Sequence, residues 1–249
     1  MNQLRRCREL KQFMLQAKDG EIGSIEELYF DDKSWNVRYL IVNTGSWLFG
    51  RRVLLAPIAV KGLEDTELVI RINLTREQIE TCPPVDAAKP ISRTYETEYY
   101  RHFGWAPYWQ PGPTQGTTPF VYPTTPQLLV NPAPIKEDQI EHPHLRSSAE
   151  VAGYSIQASD GAVGHVEDEI VDDKRWVVQY LEVDTRNWLP GKKVLVAPAW
   201  IDQVSWGDQS VSLSLSREVI ESAPAYDNLT MITPEYEAEL IKHYEKSRS

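Results

Sequence analysis

Apolar and polar positions alternate along this chain in short runs bounded by Gly, Pro and Asp, and the set of runs occurs twice. Ile70, Ile72 and Leu74 alternate with Arg71 and Asn73, while Val211, Leu213 and Leu215 alternate with Ser212 and Ser214. A period of two with one apolar face predicts a half-buried strand. The runs 37–42 and 177–183 are rich in β-branched and aromatic residues and predict a second strand. Arg52–Ala56 and Lys193–Ala197 predict a third, closed by Pro57 and Pro198. A fourth spans Ile22–Phe30 and Val163–Val171, and a short one at Phe13–Gln16 and Tyr154–Gln157 opens each set.

Punctuation between the runs is equally regular. Asp31-Asp32-Lys33 and Asp172-Asp173-Lys174 fall between two strands, where Asp favours a tight turn through hydrogen bonds to its own backbone. Thr75-Arg76-Glu77-Gln78 reads as a helix start with a capping box. A further helix is predicted from Ser92, and its twin from Thr233-Pro234, with Pro at the first helical position.

These correspondences share one register. Asp19-Gly20-x-x-Gly23 returns as Asp160-Gly161-x-x-Gly164, Trp47-Leu48-x-Gly50 as Trp188-Leu189-x-Gly191, and Tyr95-Glu96-x-Glu98 as Tyr236-Glu237-x-Glu239. Leu74-x-Arg76-Glu77-x-Ile79-Glu80 matches Leu215-x-Arg217-Glu218-x-Ile220-Glu221 at the same offset of 141 residues, with no gap. The chain is a tandem duplication. Five or six short strands per copy, followed by short helices, predict a mainly β fold of two small barrels, since closure removes exposed strand edges. The expected organisation is a first repeat over 10–103, a linker over 104–147 and a second repeat over 148–245. The linker holds most of the proline, together with Trp105, Tyr108, Trp109, Phe120 and Tyr122. Aromatics are scarce in free tethers, so partial docking of this segment on the barrels is expected.

Composition narrows the function classes. A net charge of −10 and the lack of any Lys/Arg-rich run argue against nucleic acid, which is bound mainly through cations on phosphates. No apolar run reaches the roughly 20 residues of a membrane-spanning helix, and the N-terminus has no secretory pattern. Two cysteines, Cys7 and Cys82, are too few for a disulfide framework, and a cytoplasmic protein is the simplest expectation.

The run of Gly-x-x-Gly, a hairpin, Tyr-Leu-x-Val, Val-Leu-x-Ala-Pro and Leu-Thr/Ser-Arg-Glu-x-Ile-Glu resembles the PRC-barrel family over about residues 10–102 and 151–243. That resemblance implies a small β-barrel like the cytoplasmic domain of the photosynthetic reaction-centre H subunit, or the C-terminal half of a ribosome-maturation factor. The H subunit's membrane helix and the factor's different N-terminal domain have no counterpart here. The motifs are mainly structural and specify fold better than activity. The preferred expectation is a non-catalytic scaffold or interaction protein. An accessory role in photosynthesis or electron transfer is the alternative, and assembly of ribonucleoprotein a weaker one.

Chemistry-bearing positions do not combine into a catalytic motif, and no cofactor or metal is expected. The Asp31-Asp32 and Asp172-Asp173 pairs lack a His or third ligand and read as hairpin turns. Glu141-His142-Pro143-His144, with Asp138, has metal-site composition but no partner in either repeat. His102 and His243 match at helix C-termini, where a partly cationic ring complements the helix dipole. Trp35, Trp176, Trp47 and Trp188 recur as packing anchors. Differences between the copies point elsewhere. Leu28 and Ile41 become Glu169 and Glu182, while Ala59 and Asp65 become Trp200 and Trp206. Interiors resist charge and large volume change, so Leu28, Ile41, Trp200 and Trp206 are the candidate contact surface, with Leu28 and Ile41 as an exposed apolar patch. The candidate occupants are the other repeat, the aromatic linker, a second copy of the chain or a different protein.

Overall fold

A computed structural model describes residues 4–85, 90–110, 145–185, 192–226 and 232–246. The fold is mainly β, with two seven-stranded sheets. The chain divides into two compact units, 10–145 and 146–249, and the second of these also takes in residues 1–9.

In the first unit β2 (Met14–Ala17), β3 (Gly20–Asp31), β4 (Val37–Asn43) and β5 (Arg52–Leu55) pair as antiparallel neighbours. After a 3-10 turn at Pro57–Ala59 come β6 (Val60–Glu64) and β7 (Val69–Ile72), and β7 returns to lie parallel to β2. The sheet order is therefore β5-β4-β3-β2-β7-β6, and β8 (Leu145–Ser147), which begins on the last residue of this unit, pairs with β3. The second unit repeats the order with β9 (Ser155–Ala158), β10 (Gly161–Asp172), β11 (Val177–Asp184), β12 (Lys193–Val196), β13 (Ile201–Ser205) and β14 (Ser210–Leu213). Its seventh strand is β1 (Leu4–Arg6), antiparallel to β10 with Arg5 opposite Val171 and Arg6 opposite Ile170. The sequence reading placed no strand at either β1 or β8. Pairing closes no barrel among the described residues: β5 and β6 end the first path, and β12 and β13 the second.

Local chemistry explains why the repeated motifs persist. Gly23 and Gly164 lie where β3 and β10 bend close to the following strand: a Cβ at Gly23 would stand 2.0 Å from the Asn43 carbonyl oxygen, and one at Gly164 1.9 Å from that of Asp184. Asp31 Oδ1 accepts from the N–H groups of Lys33 and Ser34, and Asp172 Oδ1 from those of Lys174 and Arg175, which makes both acidic pairs Asx turns as expected. Each turn ends on a tryptophan in the left-handed region, Trp35 at φ 58° and Trp176 at φ 54°, and both rings are buried.

The helices serve the sheets. Thr75 and Gln78 complete the capping box of α2 (Arg76–Glu80), and Asp19 Oδ1 accepts the Arg76 N–H, as Asp160 does for Arg217 at the start of α5 (Arg217–Ser222). The longer α3 (Arg93–Phe103) is capped by Ser92, and α6 (Pro234–Lys246) starts on the proline that the sequence indicated. His102 and His243 bond the carbonyls of Gln78 and Val219, so each ties its helix to the preceding short one rather than capping its own end. Beyond α3, Trp105 is buried and Tyr108 lies under the Arg38 guanidinium at 3.9 Å, so the start of the proline-rich segment docks on the first unit. Phe120, Tyr122 and the Glu141–His144 group fall outside the described residues, as does Trp188.

Candidate functional site

Two places concentrate chemistry among the described residues. The first is the face of β10 and β11 that receives β1 and the short helix α1 (Cys7–Leu10). Arg5 Nε donates to Asp173 at 2.8 Å, Arg6 Nε to Glu182 at 2.9 Å and Arg8 Nε to Asp168 at 2.6 Å. Glu182 is fully buried and also accepts from Arg8 Nη2 at 3.2 Å and Lys193 Nζ at 2.7 Å. The Arg6 guanidinium lies 4.8 Å from the centre of the Tyr226 ring. Burial pushes the Asp168 carboxyl above the ordinary aspartate range despite Arg8 beside it. Glu167 moves the other way: burial opposes ionisation, but the Lys193 ammonium and Arg8 hold it below its usual value.

Two donor groups of metal-ligand type lie here, Cys7–Asp168–Glu169 and His165–Glu167–Asp184, each within 4.8 Å. Arg8 sits on Asp168, and Lys193 at 3.1 Å on Glu167, so an added cation would compete with protein cations already in place.

The second place is the loop after β4. Thr44 N–H and Oγ1 both donate to the Arg51 carbonyl, Gly50 N–H to that of Gly45 and Arg51 N–H to that of Leu48. This web holds Trp47 and Leu48 half-buried and Phe49 wholly exposed, at φ 54°. A bulky residue in the left-handed region costs of order 1–3 kcal/mol and persists only where its surroundings enforce it. Beside the loop opens a cleft of about 480 Å³ lined by Met14, Glu21, Ile22, Thr44, Trp47 and Arg76. The Arg76 guanidinium stacks 4.5 Å from the Trp47 ring centre.

The expectation that Leu28 and Ile41 form an exposed apolar patch needs correction. Leu28 is 1% exposed and Ile41 3%, so they form no exposed patch. Their counterparts Glu169 and Glu182 are buried as well, Glu182 against Arg6 and Arg8. Trp200 is buried 4.2 Å from the Tyr244 ring of α6, within its own unit. The reason is a paired exchange of volume. In the first unit the Tyr99 hydroxyl donates to the Leu54 carbonyl, whereas in the second Leu240 takes the Tyr99 position and Tyr244, one turn later, reaches Leu195. Trp200, where the first repeat has Ala59, lies against the displaced Tyr244 ring. Trp206 is half-buried between Tyr154 and the Arg146 guanidinium, which lies 4.1 Å from its ring.

Phe49 and the N-terminal arginines were missed by the sequence reading. The signals were present: Trp47-Leu48-x-Gly50 is a repeated apolar turn, and Leu4-Arg5 with Glu9 returns as Leu145-Arg146 with Glu150 at the same offset.

No family model and no curated protein matches the chain.

Proposed function

We propose that the chain is a non-catalytic interaction protein of the cytoplasm, built from two PRC-type barrel units, that engages a protein partner through the Trp47–Phe49 loop. The carrying observation is Phe49, wholly exposed on a loop that hydrogen bonds hold in a strained conformation. Large exposed aromatics are enriched where partners bind, and a pre-ordered loop lowers the entropy lost on association. The partner's complement is an apolar pocket for the phenyl ring, with acceptors for nearby polar groups. Nucleophile chemistry has little support: burial pushes the Cys82 thiol up to about 11, far from a thiolate at neutral pH.

The test uses the full chain as bait for native capture and quantitative mass spectrometry, beside Phe49→Ser and a control, Leu68→Ser, which removes an apolar side chain exposed elsewhere. A partner retained by the wild type and the control but lost with Phe49→Ser supports the reading. The same proteins on all three baits overturn it.

A further inference from the structure

The two repeats share one sequence register, yet the charges at matching positions differ. Residues 4–9 and 145–150 occupy matching positions, and Arg6 and Arg8 correspond to Ser147 and Ala149. On the receiving strands Glu182 corresponds to Ile41, and Tyr226 to Val85. Two of the three side chains that hold Arg6, Glu182 and Tyr226, are thus apolar in the first, and the third, Glu9, lies on the segment of Arg6 itself and matches Glu150. The other ion-pairing positions of the receiving strands keep their charge, although Glu169 matches Leu28 and Cys7 matches Ser148. Asp173 matches Asp32, Asp168 matches Glu27, and Lys193 on Glu167 matches Arg52 on Glu26.

We propose that Arg6 and Glu182, with Arg8 in support, form a recognition pair that makes the second repeat a selective receptor for the N-terminal strand. Hydrogen bonds between β1 and β10 are backbone bonds and discriminate little, because any extended segment supplies them. Selection needs a term that rewards the right segment and penalises the wrong one. Here both come from one exchange. Arg6 is 6% exposed and Glu182 fully buried, so the pair is shielded from water. Set over Ile41 and Val85, the Arg6 guanidinium would lose its buried carboxylate, Glu182, and keep only the partly exposed Glu9 of its own segment. Glu182, facing Ser147 and Ala149 in place of the two arginines, would keep Lys193 alone. Leaving one buried charge without its partner is strongly unfavourable, so the alternative seating is opposed from both sides. The Arg5–Asp173 pair has the same residue types in both repeats and acts as a common anchor without selecting. Residues 1–9 count with the second unit although the chain continues from Glu9 directly into the first.

The experiment is hydrogen–deuterium exchange on the full chain, read on peptides covering residues 4–10 and 169–173, with light scattering to give the mass. Three variants are compared with the wild type: Glu182→Ile, Arg6→Ser with Arg8→Ala, and Arg6→Lys, which keeps a cation facing Glu182 and Glu9. The first two are expected to exchange at least about tenfold faster at both peptides while the β2–β7 region keeps its protection. Arg6→Lys is expected to stay within about threefold of wild type. Glu182→Ile carries the residue of the first repeat, and Arg6→Lys keeps the charge pair, so a folded comparison is retained if one variant is unstable. Wild-type exchange in both charge-removing variants overturns the proposal, whether the mass stays monomeric or shifts to dimer. So does an Arg6→Lys variant that exchanges as fast as the charge-removing ones, which would make the effect one of packing rather than of the ion pair.

Discussion

Replacing Gly23 with alanine adds a single methyl group, yet the structure makes it one of the costliest small changes in the chain. The new Cβ would stand 2.0 Å from the backbone oxygen of Asn43, where real Cβ contacts stay beyond 3.0 Å, and Gly23 holds φ at 147°. The obstructing atom is backbone and cannot swing aside as a side chain would. Either β3 or β4 must retreat by about 1 Å, a large fraction of a strand spacing of about 4.8 Å. A retreat of that size weakens the ladder bonds around Ser24 and Asn43, each worth about 1 kcal/mol net. Overpacking and the unfavourable φ add about 1–3 kcal/mol. The expected loss is about 3–5 kcal/mol, confined to the first unit.

Gly62→Ala is the matched control, because a Cβ there meets nothing within 4 Å and its φ is not positive. Hydrogen exchange resolved by peptide is the assay of choice, since two units of one chain need not unfold together. Protection in the first sheet should fall in Gly23→Ala while the second sheet is unchanged. Gly164→Ala should do the reverse, through its own 1.9 Å clash with the Asp184 oxygen. If Gly23→Ala is no more harmful than Gly62→Ala, the close approach of β3 and β4 is wrong and the repeated Gly-x-x-Gly needs another explanation.

Three further outcomes follow from the same structure. Burial pushes the Glu96 carboxyl up, against Arg93 and the Tyr39 and Tyr108 hydroxyls, so its stabilising contribution is full at low pH and declines as pH rises through the folded-state value; Glu96→Gln should flatten that part of a urea-midpoint profile between about pH 4 and about pH 8. Trp200→Ala should cost the second unit about 3–5 kcal/mol, whereas Trp206→Ala, half-exposed beneath Arg146, should cost about 1 kcal/mol or less, as read from peptide-resolved exchange. Cys82 should resist alkylation in the native chain at about pH 8 and react once urea exposes it, because it is buried and its thiol stays protonated; prompt native labelling would contradict both points.

Period-two alternation located β7 and β14, which have one buried face, whereas β4 and β11, buried on both faces over much of their length, were marked by β-branched and aromatic residues. Turns and caps were equally legible, since Asp31, Thr75 and Pro234 act through their immediate neighbours. The added strands were not legible that way. Leu4-Arg5-Arg6 has no alternation, and its partners lie more than 160 residues along the chain. What marked it was the match with Leu145-Arg146, which counts only if the repeat is extended into the segment that looked like a linker. The expected exposure of Leu28 and Ile41 failed for a related reason. A glutamate in one copy suggested an exposed position in the other, but Glu182 is buried too, and three cations make that possible.

That failure changes how differences between the copies are to be read. A lone substitution from isoleucine to glutamate would mark a site that sees water. Here Ile41 to Glu182 travels with Ser147 against Arg6, Ala149 against Arg8 and Val85 against Tyr226. The change at position 59 likewise travels with two others: Trp200 replaces Ala59, Leu240 replaces Tyr99, and Tyr244 replaces Phe103 while keeping the hydroxyl bond to the strand carbonyl. In each set volume or charge is moved between touching residues rather than added alone, which is what a dense interior allows. Single changes drawn from such a set should therefore be worse than the whole set. Ala59→Trp alone in the first unit would place an indole where Tyr99 already fills the space, so it should destabilise by about 1–3 kcal/mol. The triple change Ala59→Trp with Tyr99→Leu and Phe103→Tyr should recover most of that loss, because it transplants the solution that the second unit uses. Peptide-resolved exchange over β4, β5 and α3 would decide it, and a triple variant no better than the single change would mean that the two interiors are not interchangeable by parts.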